Sequence, residues 1–188
     1  MLINTTYVHP ISLHTYFHIF FNLYDPISRS FLFCVFCITI LPSSLAQDSP
    51  QHYVDAHNIA RSQVSAVQVG IKPIQWDEEL ANYATQYANE RSNDCQLLHS
   101  NGPYGENLAM HPSEMTGIEA VQMWVDEQQF YDYASNTCTE GKMCSHYTQV
   151  VWQNTTKVGC AKVRCNNGGT FITCNYDPPG NVIGEWPY

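Results

Sequence analysis

The sequence contains few basic residues. Of its 188 residues only 8 are Lys or Arg, against 17 Asp or Glu, and the formal net charge is −9 at pH 7. Nucleic-acid-binding proteins neutralise phosphates with basic side chains, and anionic membrane surfaces attract the same groups. The composition therefore argues against a nucleic-acid partner and against attachment to an anionic membrane.

The sequence also lacks an apolar run long enough for a stable membrane span. Residues 31–41 form an apolar run of 11 residues, whereas a transmembrane helix needs about 20. Arg29 precedes this run and Ser44-Leu45-Ala46 follows it, an arrangement typical of a secretory signal peptide cleaved before Gln47. A buried apolar strand is the alternative, but it does not explain the flanking residues.

Residues 1–28 contain no Lys or Arg, which is unusual for the start of a signal peptide. They are either an upstream extension of the gene model or an unusually long leader. We therefore predict that residues 1–46 are a leader and that residues 47–188 form a single secreted domain. That domain keeps 7 basic and 16 acidic residues.

The mature chain contains none of the common catalytic motifs. G-x-S-x-G, the P-loop, the Rossmann glycine pattern and H-E-x-x-H are all absent. Capping and periodicity predict helices that begin at Ser49-Pro50, at Asp77 and at Thr116-Gly117. On the third helix the periodicity predicts that Ile118 faces inward, and on the first helix His57 is interpreted as a satisfied core or interhelix histidine. Residues 99–116 contain glycines and prolines and are predicted to form a long loop.

Alternating residues over 157–165 and 170–176 predict a β-hairpin, with Asn166–Gly169 as its turn. Helices thus come first and strands last along the chain. This order indicates an α+β protein or a layered α/β sandwich.

Six cysteines remain in the mature chain and predict three disulfides, because they occur in a secreted domain. The sequence alone permits 15 pairings. We predict three pairs. Cys165 and Cys174 flank the hairpin turn and would bond across it, and Cys138 and Cys144 would close a short loop that contains Gly141. The remaining pair is Cys95–Cys160. A zinc site is the alternative, but no C-x-x-C pair occurs in the mature chain.

Four short strings occur in order along the mature chain: His57–Arg61, Gly105–Leu108, His146–Trp152 and Phe171–Tyr176. Together they resemble the superfamily of cysteine-rich secretory proteins, insect venom antigens and plant pathogenesis-related proteins (the SCP or CAP superfamily). The plant pathogenesis-related proteins of class one are the most similar. The resemblance covers the whole mature chain, with one departure: Ser145 stands where the family usually has Gly.

The resemblance implies a three-layer α-β-α sandwich stapled by three disulfides. It also implies a central cavity lined by four side chains, a tetrad of His99, Glu106, Glu127 and His146. Two imidazoles and two carboxylates suit a weakly bound divalent metal such as zinc. His99 and His146 would be the ligands, with the carboxylates as further ligands or as groups that orient the imidazoles. The alternative is a set of polar residues that satisfy the loop backbone.

The residues do not identify an enzyme. A metal with open positions could activate water, so a metal-dependent hydrolase or protease using the tetrad is the alternative function. Ser100 and Ser145 each adjoin a tetrad histidine, but neighbouring residues usually point apart, and neither is a convincing nucleophile.

The resemblance implies that a sterol or another lipid is the partner. The matching aromatic segment contains Phe130, Tyr131 and Tyr133, which offer apolar faces with polar tips. The alternative is that these rings simply pack on the sandwich.

The C-terminus resembles the family's terminal signature, in which a protease cuts between the positions of Asp177 and Pro178. Cleavage there would release Pro178–Tyr188 as a signalling peptide; a packed tail with Trp186 buried is the alternative. Asn154 begins a glycosylation sequon, and its closeness to Trp152 suggests poor access. We thus expect a monomeric, antimicrobial plant defence protein, secreted to the apoplast or vacuole.

Overall fold

A computed structural model describes residues 48–65 and 70–188. The predicted leader and the cleavage site before Gln47 lie outside the described residues. Within these two ranges, no helix is both long and apolar enough to cross a membrane.

The described chain contains four α-helices: α1 Pro50–Ser65, α2 Glu78–Arg91, α3 Gly117–Val125 and α4 Ser145–Val150. A 3-10 helix, Asp126–Phe130, continues α3. The predicted helix starts are confirmed by their caps. Ser49 Oγ accepts the amide of His52 at 3.4 Å, and Asp77 accepts two amides at the start of α2. Thr116 forms a reciprocal capping box with Glu119.

Four strands form one sheet in the order β1-β5-β6-β2: β1 Gln75–Trp76, β2 Gly105–His111, β5 Lys157–Arg164 and β6 Thr170–Asp177. β1 runs parallel to β5, and the other pairs are antiparallel. The strands β3 Tyr131–Asp132 and β4 Thr137–Cys138 form a separate two-stranded ladder. The β5–β6 pair is the predicted hairpin, which is confirmed.

The prediction of a continuous loop over residues 99–116 was wrong, because β2 lies inside it. β2 pairs with β6 along its whole length, from Gly105 opposite Tyr176 to His111 opposite Thr170. Leu108 and Ala109 are adjacent residues of β2 and point to opposite faces of the sheet. Both are buried, since helices cover both faces. A strand covered on both faces does not alternate between apolar and polar residues, so this segment shows no period of two that would predict a strand.

The predicted three-layer sandwich is confirmed. Along β6, Phe171 packs with Ala84 and Ala88 of α2 on one face. Ile172 and Tyr176 belong to the larger core on the opposite face, together with residues of α1, α3 and α4. The expectation that Ile118 faces inward was wrong. It is 42% exposed, and Ala120 is buried in its place.

Three disulfides are present, but two of the predicted pairings were wrong. The bonds are Cys95–Cys165, Cys138–Cys144 and Cys160–Cys174. The register of the hairpin explains why Cys174 bonds to Cys160 and not to Cys165. Cys160 lies directly opposite Cys174, with the two Cα atoms 4.0 Å apart. Cys165 lies at the turn, where its amide donates to the carbonyl of Gly169. It therefore cannot reach Cys174, and it bonds to Cys95 just beyond α2.

Arg61 of α1 is 1% exposed and donates all five of its N–H groups to backbone carbonyls. Nε and Nη2 bond Lys72 O at 2.9 and 2.7 Å. Nη1 bonds Val150 O and Trp152 O at 3.0 and 2.8 Å, and Nη2 bonds Thr155 O at 2.9 Å. Burial lowers the pKa of Arg61 to about 10, so it remains charged at neutral pH.

We predict that Arg61→Lys lowers the free energy of unfolding by about 3 kcal/mol, because a lysine ammonium cannot satisfy four fixed carbonyls at once. Denaturant unfolding at pH 7 is the measurement. The matched control is Arg164→Lys at an exposed position, where the change should stay within about 0.5 kcal/mol. Equal stability of the two variants would contradict the proposed role of Arg61.

Candidate functional site

The first pair of tetrad residues joins the segment after α2 to strand β2. His99 Nδ1 lies 2.8 Å from Glu106 Oε1, which also accepts the amide of Ser100 at 2.9 Å. Asn175 of β6 donates to Glu106 Oε2 at 3.3 Å. The Glu106 side chain is 5% exposed and the His99 side chain 59% exposed. A buried carboxylate thus orients an imidazole that faces solvent.

The second pair joins the 3-10 helix to α4. His146 Nδ1 lies 2.7 Å from Glu127 Oε1. Glu127 Oε2 accepts the amides of His146 at 3.0 Å and Tyr147 at 3.3 Å. Cys144, at the N-cap position of α4, provides no side-chain cap. Glu127 therefore both orients His146 and caps the helix that carries it.

The two pairs share one hydrogen-bond pattern. Each imidazole uses Nδ1 toward a carboxylate, and for neither is a hydrogen bond at Nε2 found within the described chain. This is how metal-ligating histidines are usually oriented, with the carboxylate behind the ligand. Among residues 48–65 and 70–188, no group of three or more His, Cys, Asp or Glu is arranged to hold a metal ion. In each pair, Nε2 is therefore the ring nitrogen that is left for another partner.

A cavity of about 210 Å³ adjoins the first pair. Its lining includes His99 and Glu106. It also includes Gln149 of α4 and two residues of the C-terminal tail, Gly180 and Asn181. His146 is not among the lining residues. The structure therefore brings the four predicted residues together as two pairs, only one of which borders this cavity.

Comparison with known proteins identifies the relatives. Residues 54–176 match the CAP, or cysteine-rich secretory protein, family. The chain belongs to this family. It is 55% identical to pathogenesis-related protein 1B of Nicotiana tabacum over 152 residues, 80% of this chain and 88% of that protein. It is 58% identical to pathogenesis-related protein 1 of Arabidopsis thaliana over 143 residues, 76% of this chain and 84% of that protein.

The fold agrees with solved structures of the same family. Venom allergen-like protein 4 of Schistosoma mansoni superposes with a TM-score of 0.61 at 26% identity, covering 74% of this chain and 92% of that one. The identities with the plant proteins confirm the predicted resemblance to class-one pathogenesis-related proteins.

A groove of the described CAP domain lies between α1 and α3. Its volume is about 640 Å³. Six of its thirteen lining residues are apolar and lie on the two helices; the other seven are polar or charged and include Asp55 and Asp126. Ile59 is 63% exposed and Ile118 42% exposed along it. The sequence analysis missed this groove, because Ile118 was assigned to the core.

The predicted lipid-binding rings are engaged in contacts of their own. Phe130 lies beneath Lys142, whose Nζ is 4.9 Å from the ring centroid. Tyr131 donates to Asn136 at 2.7 Å. Tyr133 stacks on Tyr188 with ring centroids 4.7 Å apart and bonds its carbonyl. These contacts are those expected of rings that pack on the sandwich.

A buried polar chain links the core to the site. His57 Nδ1 lies 2.7 Å from Tyr53 O, so this nitrogen carries the proton and Nε2 accepts from Tyr176 Oη at 2.8 Å. Asn107 Nδ2 donates to Tyr176 Oη at 3.2 Å and to the carbonyl of His146 at 3.0 Å. His57 was expected to be a satisfied core histidine, and this is confirmed. Asn107 and Tyr176 were not predicted, because no local pattern marks a contact between strands.

The sequon residue Asn154 is exposed in a turn after Trp152. Trp152 does not cover it, although their closeness in sequence had suggested poor access.

We predict that His57 makes stability fall at acid pH. Burial is the main cause that lowers its pKa from 6.5 to about 4. Between these values the unfolded chain binds a proton that the folded chain does not. The contribution of neutral His57 to the free energy of unfolding is therefore complete above pH 6.5. It is lost as the pH falls toward 4, and the loss is about 3 kcal/mol.

Urea unfolding at pH 7 and pH 4.5 measures this loss. His57→Gln should flatten the pH dependence relative to the unaltered protein. His111→Gln, at an exposed position, should leave it unchanged. If His57→Gln loses as much stability between pH 7 and pH 4.5 as the unaltered protein, His57 is not the group responsible.

Proposed function

We propose that this protein is a secreted plant defence protein that acts by binding a sterol or another lipid and carries a C-terminal signalling peptide. The supporting observation is its identity of 55 to 58% with proteins named for pathogenesis in Nicotiana tabacum and Arabidopsis thaliana. The six mature cysteines form three disulfides, which suits an oxidising, extracellular compartment.

The groove between α1 and α3 supports the lipid part of the proposal. Small-molecule pockets typically measure about 300–1,000 Å³, and this groove measures about 640 Å³. Ile59, Ile118 and Val121 give it apolar surface for a lipid, and its polar residues could bind a hydroxyl such as that of a sterol. The 3-10 helix connects it to the aromatic segment, since Gln129 lines the groove and Phe130 follows. A lipid in the groove would extend toward Phe130, while Tyr131 and Tyr133 hold the segment in place.

We predict that Ile118→Asp weakens sterol binding at least tenfold, because it replaces apolar surface of the groove with a carboxylate that loses hydration when the ligand covers it. Phe130→Ala should have a smaller effect in the same direction. Ile183→Ala, at a fully exposed position of the tail, is the control. Titration with ergosterol, followed by lipid extraction and mass analysis of the secreted protein, gives the measurement. If Ile118→Asp binds ergosterol with unchanged affinity, the groove between α1 and α3 is not the sterol site.

The tetrad supports a second component, weak binding of a divalent metal. His99 and His146 would hold the ion through the nitrogens that their carboxylates leave unused. A bound zinc ion would supply a Lewis acid that can activate water, which is the basis of the alternative hydrolase function. Glu106→Gln separates the two functions. It should abolish antimicrobial action if hydrolysis carries the function and leave that action nearly intact if sterol binding carries it.

We predict that zinc affinity rises steeply between about pH 5 and pH 7, because protons and metal compete for imidazole nitrogen. His146→Ala should remove most of the binding, and His111→Ala should retain it. Calorimetric titration across this pH range is the measurement, with circular dichroism to confirm folding. Affinity that is flat with pH, or unaltered in His146→Ala, would exclude the tetrad as the metal site.

A further inference from the structure

The tail Pro178–Tyr188 is bonded along helix α4. The Gly180 amide donates to Gln149 Oε1 at 2.9 Å. Asn181 Nδ2 donates to the carbonyl of Ser145 at 2.8 Å, and Asn181 Oδ1 accepts from Thr148 at 2.6 Å. Three hydrogen bonds thus attach the first part of the tail to the helix that carries His146.

The end of the tail is fixed as well. The amide of Gln153 donates to Pro187 O at 2.6 Å, and Pro187 is buried. The hydroxyls of Tyr147 and Tyr188 lie 3.2 Å apart. Trp186 is 49% exposed, so the expectation that a packed tail would bury Trp186 was wrong; its Nε1 nevertheless donates to Tyr133 O at 2.9 Å.

Between these two attachments the tail forms an exposed turn. The Glu185 amide donates to Val182 O at 3.0 Å, and Gly184 has the positive φ of 85° that such a turn uses. Ile183 at its tip is fully exposed. The turn therefore offers positions where a substitution changes the tail without touching its attachments.

The bond between Asp177 and Pro178 is held on both sides. The carbonyl of Asp177 accepts the amide of Thr156 at 3.1 Å, and the carbonyl of Pro178 accepts from Thr155 Oγ1 at 2.8 Å. Asp177 is also the last residue of β6, paired with Lys157. A bond in this position becomes available to a protease only when the segment opens locally.

The same tail forms part of the candidate site. Gly180 and Asn181 line the cavity that His99 and Glu106 line. At Gly180 the tail approaches the domain closely: a Cβ there would lie 2.7 Å from Trp152 and 2.8 Å from Gln149. Detachment of the tail would therefore remove one wall of the cavity and three hydrogen bonds from α4.

We propose that Pro178–Tyr188 is a latch whose closed position shields the Asp177–Pro178 bond and completes the wall of the His99/Glu106 cavity. Opening the latch exposes the bond and opens the cavity in one event. Peptide release and an intact cavity are then mutually exclusive states of the protein. The regulatory meaning of the latch rests on the proposed release of the peptide, but the latch itself does not.

The test uses the full mature chain and two variants that weaken the latch. Asn181→Gly removes both side-chain bonds and keeps the positive φ of 57° at this position. Thr148→Val removes the hydroxyl on α4 and leaves the tail sequence unchanged. Ile183→Gly is the matched control, because it makes the same change to glycine in the exposed turn.

Amide hydrogen exchange followed by NMR is the first measurement. The amides of Gly180 and Gln153 should be protected in the unaltered protein, and Asn181→Gly and Thr148→Val should speed their exchange roughly tenfold or more. The ring signals of His99 should shift in the same two variants, because the cavity wall moves. Ile183→Gly should match the unaltered protein in both respects.

Cleavage by apoplastic protease extract is the second measurement. Cutting at Asp177–Pro178 should be faster in the two latch variants by a factor similar to the change in exchange. Unprotected Gly180 and Gln153 amides in the unaltered protein, or latch variants that behave like Ile183→Gly in exchange, would overturn the latch. If amide exchange speeds up in the two latch variants as expected but no variant is cut at Asp177–Pro178, the latch is supported and the proposed peptide release is wrong.

Discussion

The buried guanidinium of Arg61 is the contact on which the arrangement of the helical layer depends. In the described chain no carboxylate lies within ion-pair distance of it, and five N–H groups bond four carbonyls instead. These carbonyls belong to the segment before β1, to the end of α4 and to the turn before β5. One side chain thus joins the segment at Lys72 to residues 150–155, which are far from it in the sequence. An unpaired charge at 1% exposure persists only because every donor is satisfied.

Helix α4 depends on this contact more than the other helices do. With six residues it is too short to be stable by itself, and its N-terminus is capped by Glu127 from another element. Arg61 binds the carbonyls of Val150 and Trp152 at its C-terminal end, and the tail bonds its side. The position of His146 is therefore set by three external attachments.

The two histidine pairs differ in their surroundings although their hydrogen bonds are alike. The His99 ring is mostly exposed, whereas the His146 side chain is 23% exposed and stacks over Trp124 with ring centroids 6.3 Å apart. His146 is also linked through its carbonyl to Asn107 and the buried Tyr176. One imidazole is thus fixed by the core, and the other is oriented mainly by the single carboxylate of Glu106.

Local chemistry in the sequence was sufficient for the helix starts at Ser49, Asp77 and Thr116 and for the β5–β6 hairpin, because caps and turns act between residues close in the chain. The four site residues came from the family resemblance, and the structure arranged them as two pairs. Strand β2 and helix α4 escaped prediction, since one is buried on both faces and the other is held by distant groups. The disulfide pairing failed for a related reason. Only the register of the sheet places Cys160 opposite Cys174 and leaves Cys165 for Cys95, and register is fixed by contacts across strands that no local pattern records.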